Sequence, residues 1–442
     1  MKIQLSDHFD TKRMLSFTMP SIIMMIFTSI YGVVDGFFVS NFVGKTSFAA
    51  VNFIFPVIML LGALGFMFGT GGSALVAVTI GLGNKDKAQS LFSMTVYISF
   101  VVGVILSAIS FFVLPYIAEL LGAEGQMLTD SVMYGRIIIC SLPFFMLQYE
   151  FQSFFITAEK PNLGLYTTLL SGITNMVLDA LFMAVFKWGL AGAAFATAMS
   201  QMVGGLIPIF YFARKNSSLL RFTKFRYNGN ALLKICTNGS SELLSNISMS
   251  LVSMLYNYQL LKYAGEEGIA AYGVLMYVNM VFLAIFIGFA TGIAPVIGYH
   301  FGAHNHDELH GLLLKSIRII CISSVLMLIF GEILALPLSS VFVGYDHHLF
   351  DITLRGFLIY SFSFLFSGIA IFASSFFTAL NDGLTSAVMA FLRTVVFQVS
   401  SVLILPLFFE LDGIWLSIVA AEVAAAVIAI LFILIKRNKY NY

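Results

Sequence analysis

The sequence predicts an all-α integral membrane protein of twelve transmembrane helices, arranged as two six-helix bundles related by a pseudo-two-fold axis. Three observations predict it. The first is composition: of 442 residues 59% are hydrophobic and 10% charged, with a mean hydropathy of +0.95, where a soluble chain carries roughly 25% charged residues. The second is a series of apolar windows, each long enough to supply the roughly 20 residues that a helix needs to cross a bilayer. The third is an internal repeat at a nearly constant offset.

The windows fall at 14–39, 47–81, 90–116, 132–157, 164–187, 189–212, 232–261, 269–299, 312–339, 352–378, 384–408 and 413–435. The first follows "MKIQLSDHFDTKR". It is too long for a cleaved signal segment and no small-residue cleavage site ends it, so it is expected to be a retained span. The windows at 47–81 and 269–299 are long, which implies tilt or helix ends projecting into water. Of the 23 Lys and Arg residues, 17 fall in the tails, loops and span starts of one side, and three, Lys45, Lys187 and Lys262, on the other. The positive-inside rule then puts both termini in the cytoplasm of a multi-pass protein of the cell membrane, with the lipid bilayer as its immediate partner. Arg136, Arg355 and Arg393 lie inside spans and need separate explanations.

The longest polar stretch, "RKNSSLLRFTKFRYNGN", sits at the midpoint and divides the chain into bundles 1–220 and 221–442. The halves repeat at an offset of 219–221: Gly69 matches Gly288, Gly83 matches Gly302, Arg136 matches Arg355, Thr157 and Ala158 match Thr378 and Ala379, and Gly192 matches Gly413. Gln201 then falls on Glu422. Six spans per repeat is even, so both halves insert the same way, and two parallel repeats facing one another across a central cleft suit alternating access.

Several function classes find no support. Net charge is +1 and there is no basic tract, so no nucleic acid partner is expected. Cys140, Cys236 and Cys321 are at no metal spacing and form no disulfide framework. "GKT" at 44–46 lacks the earlier glycine of a phosphate loop, since that position is Val39. "HFGAHNHDELH" holds His300, His304, His306 and His310, but it occupies the place of "GLGNKDKAQ" in the first half, which has no histidine, so it reads as a solvated loop. No metal, cofactor or enzymatic activity is expected. The driving energy must come from an ion gradient or a partner.

Charged groups within the bilayer are costly, and each is by default a functional candidate. Asp35 and Asp179 fall in the outer layer of the first bundle, with Thr197 at the same depth on the next span. Asn175, four residues before Asp179 in "NMVLDALFMAV", shares its helix face. Two carboxylates, an amide and a hydroxyl at one depth read as a cation or proton site; the alternative is that each acid faces water near the outer surface. Pro20 removes one helix hydrogen bond and either permits a hinge in the first span or merely sits in its opening turns. Glu242, Glu150, Gln148 and Gln201 are candidate cavity or substrate residues, with Glu150 placed at a solvated inner lip. Glu332 and Glu422 read equally as structural contacts or functional groups. Arg393, near mid-membrane, needs a carboxylate or carbonyl partner and reads as a structural tie.

These features resemble the multidrug and toxic compound extrusion (MATE) family over nearly the whole chain. The likeness rests on "TMPSIIMMIFTSIYGVVDGFFVSNFVGKTSFAAV", "GLGNKDKA", "FFITAEKPN" and above all "NMVLDALFMAVFKWGLAGAAFATAMSQ". The resemblance implies a prokaryotic transporter with a coupling site in the first bundle at Asp35, Asn175, Asp179 and Thr197, and a bend of the first span at Pro20. Another bacterial branch uses acids in spans 7 and 10; here span 7 has Glu242 but span 10 has no interior acid, which departs from that pattern. The implied activity is secondary antiport, acting as a monomer: export of small organic, mainly cationic, drugs or toxic compounds in exchange for H+ or Na+, without a cofactor. The alternatives are a lipid-linked precursor flippase of the same superfamily, a major-facilitator carrier, whose arginine-rich 2–3 loop is missing, and a membrane metalloenzyme using the histidine loop.

Overall fold

The computed structural model describes residues 3–43, 45–344 and 346–442, apart from the side chains at 33, 36, 37, 40, 41, 45, 46, 48, 49, 250 and 266. Gly44 of the "GKT" triplet, with the side chains of Lys45 and Thr46, therefore lies outside the described residues. Every regular element among the described residues is a helix, and residues 214–228 link the two halves without helical structure. The elements are α1 (Thr11–Phe42), α2 (Lys45–Gly81), α3 (Lys85–Leu120), α4 (Gly125–Cys140), α5 (Leu142–Thr157), α6 (Pro161–Asp179), α7 (Gly189–Ala213), α8 (Gly229–Gly302), α9 (His306–Val343), α10 (His347–Ser361), α11 (Phe364–Ala379), α12 (Gly383–Phe391), α13 (Val399–Ile404) and α14 (Pro406–Tyr440). Two π-helical stretches, Ala180–Val185 and Leu392–Gln398, extend α6 and join α12 to α13.

Short polar residues start the helices by accepting from main-chain N–H groups that have no partner inside the helix. Asp10 accepts from the Arg13 amide at 2.7 Å, and Asn228 from that of Ala231 at 3.1 Å. Asn84 and Asn305, in matching turns of the two halves, cap α3 and α9 through the amides of Lys87 and Glu308, at 3.1 and 3.2 Å.

Among the described residues nine helices are individually long and apolar enough to cross a membrane, and counting two bent pairs as one span each gives eleven. The bent pairs are α4–α5, turned by 56° at Ser141, and α10–α11, turned by 50°. They fill the windows expected at 132–157 and 352–378. The expected span at 232–261 is helical but falls outside that count, because its first half, "GNALLKICTNGSSELLSN", is polar. It forms the first part of the 74-residue α8, which breaks at Gly265, where φ is 62° and ψ −151°.

The two halves of the chain meet where α2 crosses both parts of α8. Small residues make that crossing close. A Cβ on Gly71 would lie 2.0 Å from the Ile235 carbonyl oxygen, and one on Gly239 2.0 Å from that of Met67. "GTGGSA" is thus a close-packing face. An N-terminal strap spans the same end of the molecule. Its Leu5 amide donates to Glu159 Oε1 at 2.8 Å and its Phe9 amide to Glu308 Oε1 at 2.9 Å, with Leu5 and Phe9 fully buried. Within the first half, the phenylalanines at 92, 151, 154, 155 and 212 form an aromatic core joining α3, α5 and α7.

Candidate functional site

Helix α6 ends at Asp179, and the π-helical turn begins at the next residue. A π turn widens the helix locally and changes the direction in which side chains project; such turns are frequent at functional sites. Asp179 is completely buried, Asn175 one turn earlier is 1% exposed, and the Asn175 amide nitrogen donates to Thr197 Oγ1 of α7 at 3.4 Å. From α1 the carboxyl of Asp35 comes beside both Asp179 and Asn175. The four residues expected at one depth are therefore one side-chain cluster, although three helices contribute them.

The cluster is short of donors. Asp35 Oδ1, Asn175 Oδ1 and both carboxyl oxygens of Asp179 are buried and have no hydrogen-bond donor among the described residues. Buried polar atoms are nearly always paired, and each exception needs an explanation. Two adjacent carboxylates cannot satisfy one another without a proton or cation between them. The arrangement can therefore take up positive charge.

Tyr134 of α4 is a member that sequence reasoning missed. It is 2% exposed, and its ring places the hydroxyl beside Thr197 and both acids. An aromatic in an apolar helix gives no polar signal; only counting its depth, nine residues into α4, would have raised it.

Pro20 lies inside α1, which continues through it as one helix. It supplies no N–H to the Ser16 carbonyl four residues back. The adjacent face of α1 packs on α8, where a Cβ on Gly288 would approach the Ile22 main chain to 2.6 Å.

The remaining candidates are placed as follows. Glu150 does not lie at a solvated lip: it is 0% exposed, and neither carboxyl oxygen has a partner among the described residues. The reason is α5 itself. All of its residues except Phe144 are buried, because α2, α3 and α7 enclose it. Gln148 and Gln201 lie in the α5–α7 contact. Gln148 sits against Gly204, and Gln201 Oε1 accepts from Ser141 Oγ at 2.6 Å. Glu242 lies within reach of the charge on Arg393. Arg393 has the carboxylate partner its position demanded: its Nε and Nη2 donate to Glu422 at 2.9–3.1 Å, and Gln398 adds a contact at 3.4 Å. Glu422 is thereby a structural contact, and Glu332 accepts from Ser361 across the α9–α10 contact.

Of the four histidines expected in a solvated loop, His300 is instead buried, 2% exposed in the last turn of α8. Among the described residues no group of three His, Cys, Asp or Glu side chains is arranged to hold a metal ion.

The MatE family profile matches the chain twice, over residues 20–181 and 243–404. The multidrug export protein MepA of Staphylococcus saprophyticus is 26% identical over 434 residues, covering 97% of this chain and 94% of that protein. Among solved structures, an outward-facing multidrug resistance MATE family transporter of the MOP superfamily superposes with a TM-score of 0.93 at 23% identity, covering 98% of this chain and 97% of that one. A MATE crystal structure in complex with MaL6 gives the same TM-score and identity, with 98% of each chain covered. The double match takes in most of the chain and both of its repeats: the protein belongs to the MatE family, the multidrug and toxic compound extrusion transporters, and is not an enzyme.

Proposed function

We propose that the protein is a secondary antiporter that exports small organic, mainly cationic, compounds in exchange for H+ or Na+, with Asp35, Asn175, Asp179 and Thr197 as the coupling site. The observation that carries this reading is the buried oxygen cluster that lacks donors. A mobile cation, proton or cargo in turn, supplies what the fixed residues leave out. The similarity to MepA, named as a multidrug export protein, supports the choice of cargo.

The rest of the reading follows from this. Twelve spans form two six-helix bundles, 1–220 and 221–442, in the cell membrane of a prokaryote, with both termini cytoplasmic and the chain acting as a monomer without a cofactor. The doubled family match supports the two-bundle division. Ion uptake at Asp35 and Asp179 lets α1 bend near Pro20, the cargo leaves, and the bundles rock to reload. Exchange of one proton for one monovalent cation moves no net charge. The membrane potential, about 2.3 kcal/mol per charge per 100 mV, then contributes nothing, while a pH gradient contributes about 1.4 kcal/mol per unit.

The deciding experiment is transport of a lipophilic organic cation in proteoliposomes under an imposed pH gradient or an imposed sodium gradient. One of the two should drive uphill movement. No response to either would overturn the antiport reading.

A further inference from the structure

Arg136 is a cation within the span formed by α4 and α5 that the transport cycle above does not use. It lies eleven residues after Gly125, the start of α4, and so about 16 Å along the axis at 1.5 Å per residue. Its Nε donates to the Phe111 carbonyl at 3.1 Å, and its guanidinium sits 4.9 Å from the Phe111 ring centroid. That carbonyl is open because the residue four positions on, which would have supplied the helical N–H, is Pro115. The contact uses one of the five guanidinium N–H groups. The Nη groups have no hydrogen-bond or carboxylate partner among the described residues.

The second half of the chain treats the matching residue differently. Arg355, 219 positions on, is paired with Asp412. Since Gly413 matches Gly192, the place of Asp412 is taken in the first half by Ala191. The repeat has kept the cation and not its acid.

Arg136 lines an apolar crevice of about 780 Å³ between α3, α4 and α7, walled by Phe111, Pro115, Leu128, Met133 and Phe195. The crevice opens on the outer surface of the helices, where Met133 and Phe195 are 36% and 45% exposed. An unpaired charge there is costly, a guanidinium fork matches phosphate oxygens, and the walls match an acyl chain.

We propose that this crevice binds an anionic phospholipid of the surrounding bilayer, with its phosphate on the Nη atoms of Arg136 and an acyl chain along the apolar wall. A zwitterionic lipid brings its own cation and competes with Arg136 for the phosphate. A free anion gains nothing from the walls.

The test is thermal unfolding of the full-length purified protein titrated with phosphatidylglycerol, phosphatidylcholine or inorganic phosphate. Phosphatidylglycerol should stabilise the wild type at the lowest concentration. Arg136→Gln and Ala191→Asp should each weaken its apparent affinity about tenfold. Ala191→Asp rebuilds the pairing of the second half and keeps Arg136 and its contact with Phe111, so it remains informative if Arg136→Gln fails to fold. Equal stabilisation of the wild type by the two lipids overturns the proposal, as does an undiminished response to phosphatidylglycerol in Ala191→Asp. Stabilisation by inorganic phosphate as strong as by phosphatidylglycerol makes the site one for free anions and overturns the lipid assignment.

Discussion

Arg393 grips Glu422 with three N–H···O contacts of 2.9–3.1 Å, whereas no side-chain donor among the described residues reaches either carboxyl oxygen of Asp179. The two halves of one repeat thus treat buried acids in opposite ways. In the second half a fixed cation neutralises Glu422, whereas no cation among the described residues pairs with Asp179 in the first. Gln201, the counterpart of Glu422, is uncharged and bonded to Ser141, so the first half needs no arginine at that place.

The first prediction concerns this pair. Glu422 is 2% exposed and Arg393 19%. Removing one member leaves the other uncompensated at a cost of about 3–5 kcal/mol, while replacing both by apolar residues is often neutral. Arg393→Met alone should lower the unfolding temperature sharply, and Arg393→Met with Glu422→Met should recover most of the loss. A double variant no more stable than the single one would show that the pair is not a self-contained unit.

Asp35 and Asp179 give the second prediction. Asparagine preserves size and removes the titratable charge. Asp35→Asn or Asp179→Asn should reduce gradient-driven transport to background while leaving expression and unfolding temperature near wild type, since Asp179 has no fixed donor to lose and an asparagine at 35 keeps a side-chain oxygen to accept from Asn175. Normal transport in either variant would remove that residue from the coupling site.

Tyr134 gives the third. Tyr134→Phe deletes a hydroxyl beside Thr197 and the two acids and keeps the ring packed. It should shift the apparent affinity for the coupling ion by about fivefold, the value of a hydrogen bond between neutral groups at about 1 kcal/mol, with maximal rate little changed. An identical ion dependence would make the hydroxyl a bystander.

The placement of Asp35, Asn175, Asp179 and Thr197 was legible in the sequence because a helix rises a fixed distance per residue. Counting from loop ends therefore fixes depth, and a spacing of four fixes a face. What could not be read was orientation between helices. Glu150 looked solvated because nothing in "LPFFMLQYEFQSFFIT" reveals that the helix is enclosed on every side. The π turn after Asp179 leaves no mark in a run of apolar residues. The polar first half of α8 weakens the hydropathy signal of the window at 232–261, which nonetheless marks the helix.

The fourth prediction concerns the C-terminal helix. Asp382, between α11 and α12, accepts from the Tyr440 hydroxyl at 2.6 Å and pairs with Lys436 at 3.3 Å. Burial works to raise its pKa, but the Tyr440 hydroxyl, Thr385 and Lys436 outweigh it and hold the carboxyl below the ordinary value of 3.8. A depressed carboxylate contributes stability that is fully present above the unfolded-state value and is lost as pH falls through the folded-state value. Asp382→Asn should therefore cost about 1–2 kcal/mol at neutral pH, and the difference from wild type should shrink below about pH 4. A difference independent of pH would assign the loss to packing.

The strap at the N-terminus gives the last prediction. Leu5 is tied to Glu159 at the end of α5, in the first half, while Phe9 is tied to Glu308 in the first turn of α9, in the second. Lys315 Nζ adds a contact to the Phe9 carbonyl at 2.5 Å. If the halves part at this end during transport, one tie must break, so the strap opposes opening. Glu308→Gln weakens the charge-assisted bond from the Phe9 amide, each such bond being worth about 1.5–3 kcal/mol. It should raise labelling of a cysteine introduced in place of Ser73, which is buried in the "GTGGSA" stretch of the α2–α8 crossing, by a membrane-permeant thiol reagent, in a background without Cys140, Cys236 and Cys321. The same substitution should leave the ion dependence of transport unchanged, because the strap touches none of the coupling residues. Labelling equal to that of the parent would mean that the strap follows the motion without resisting it.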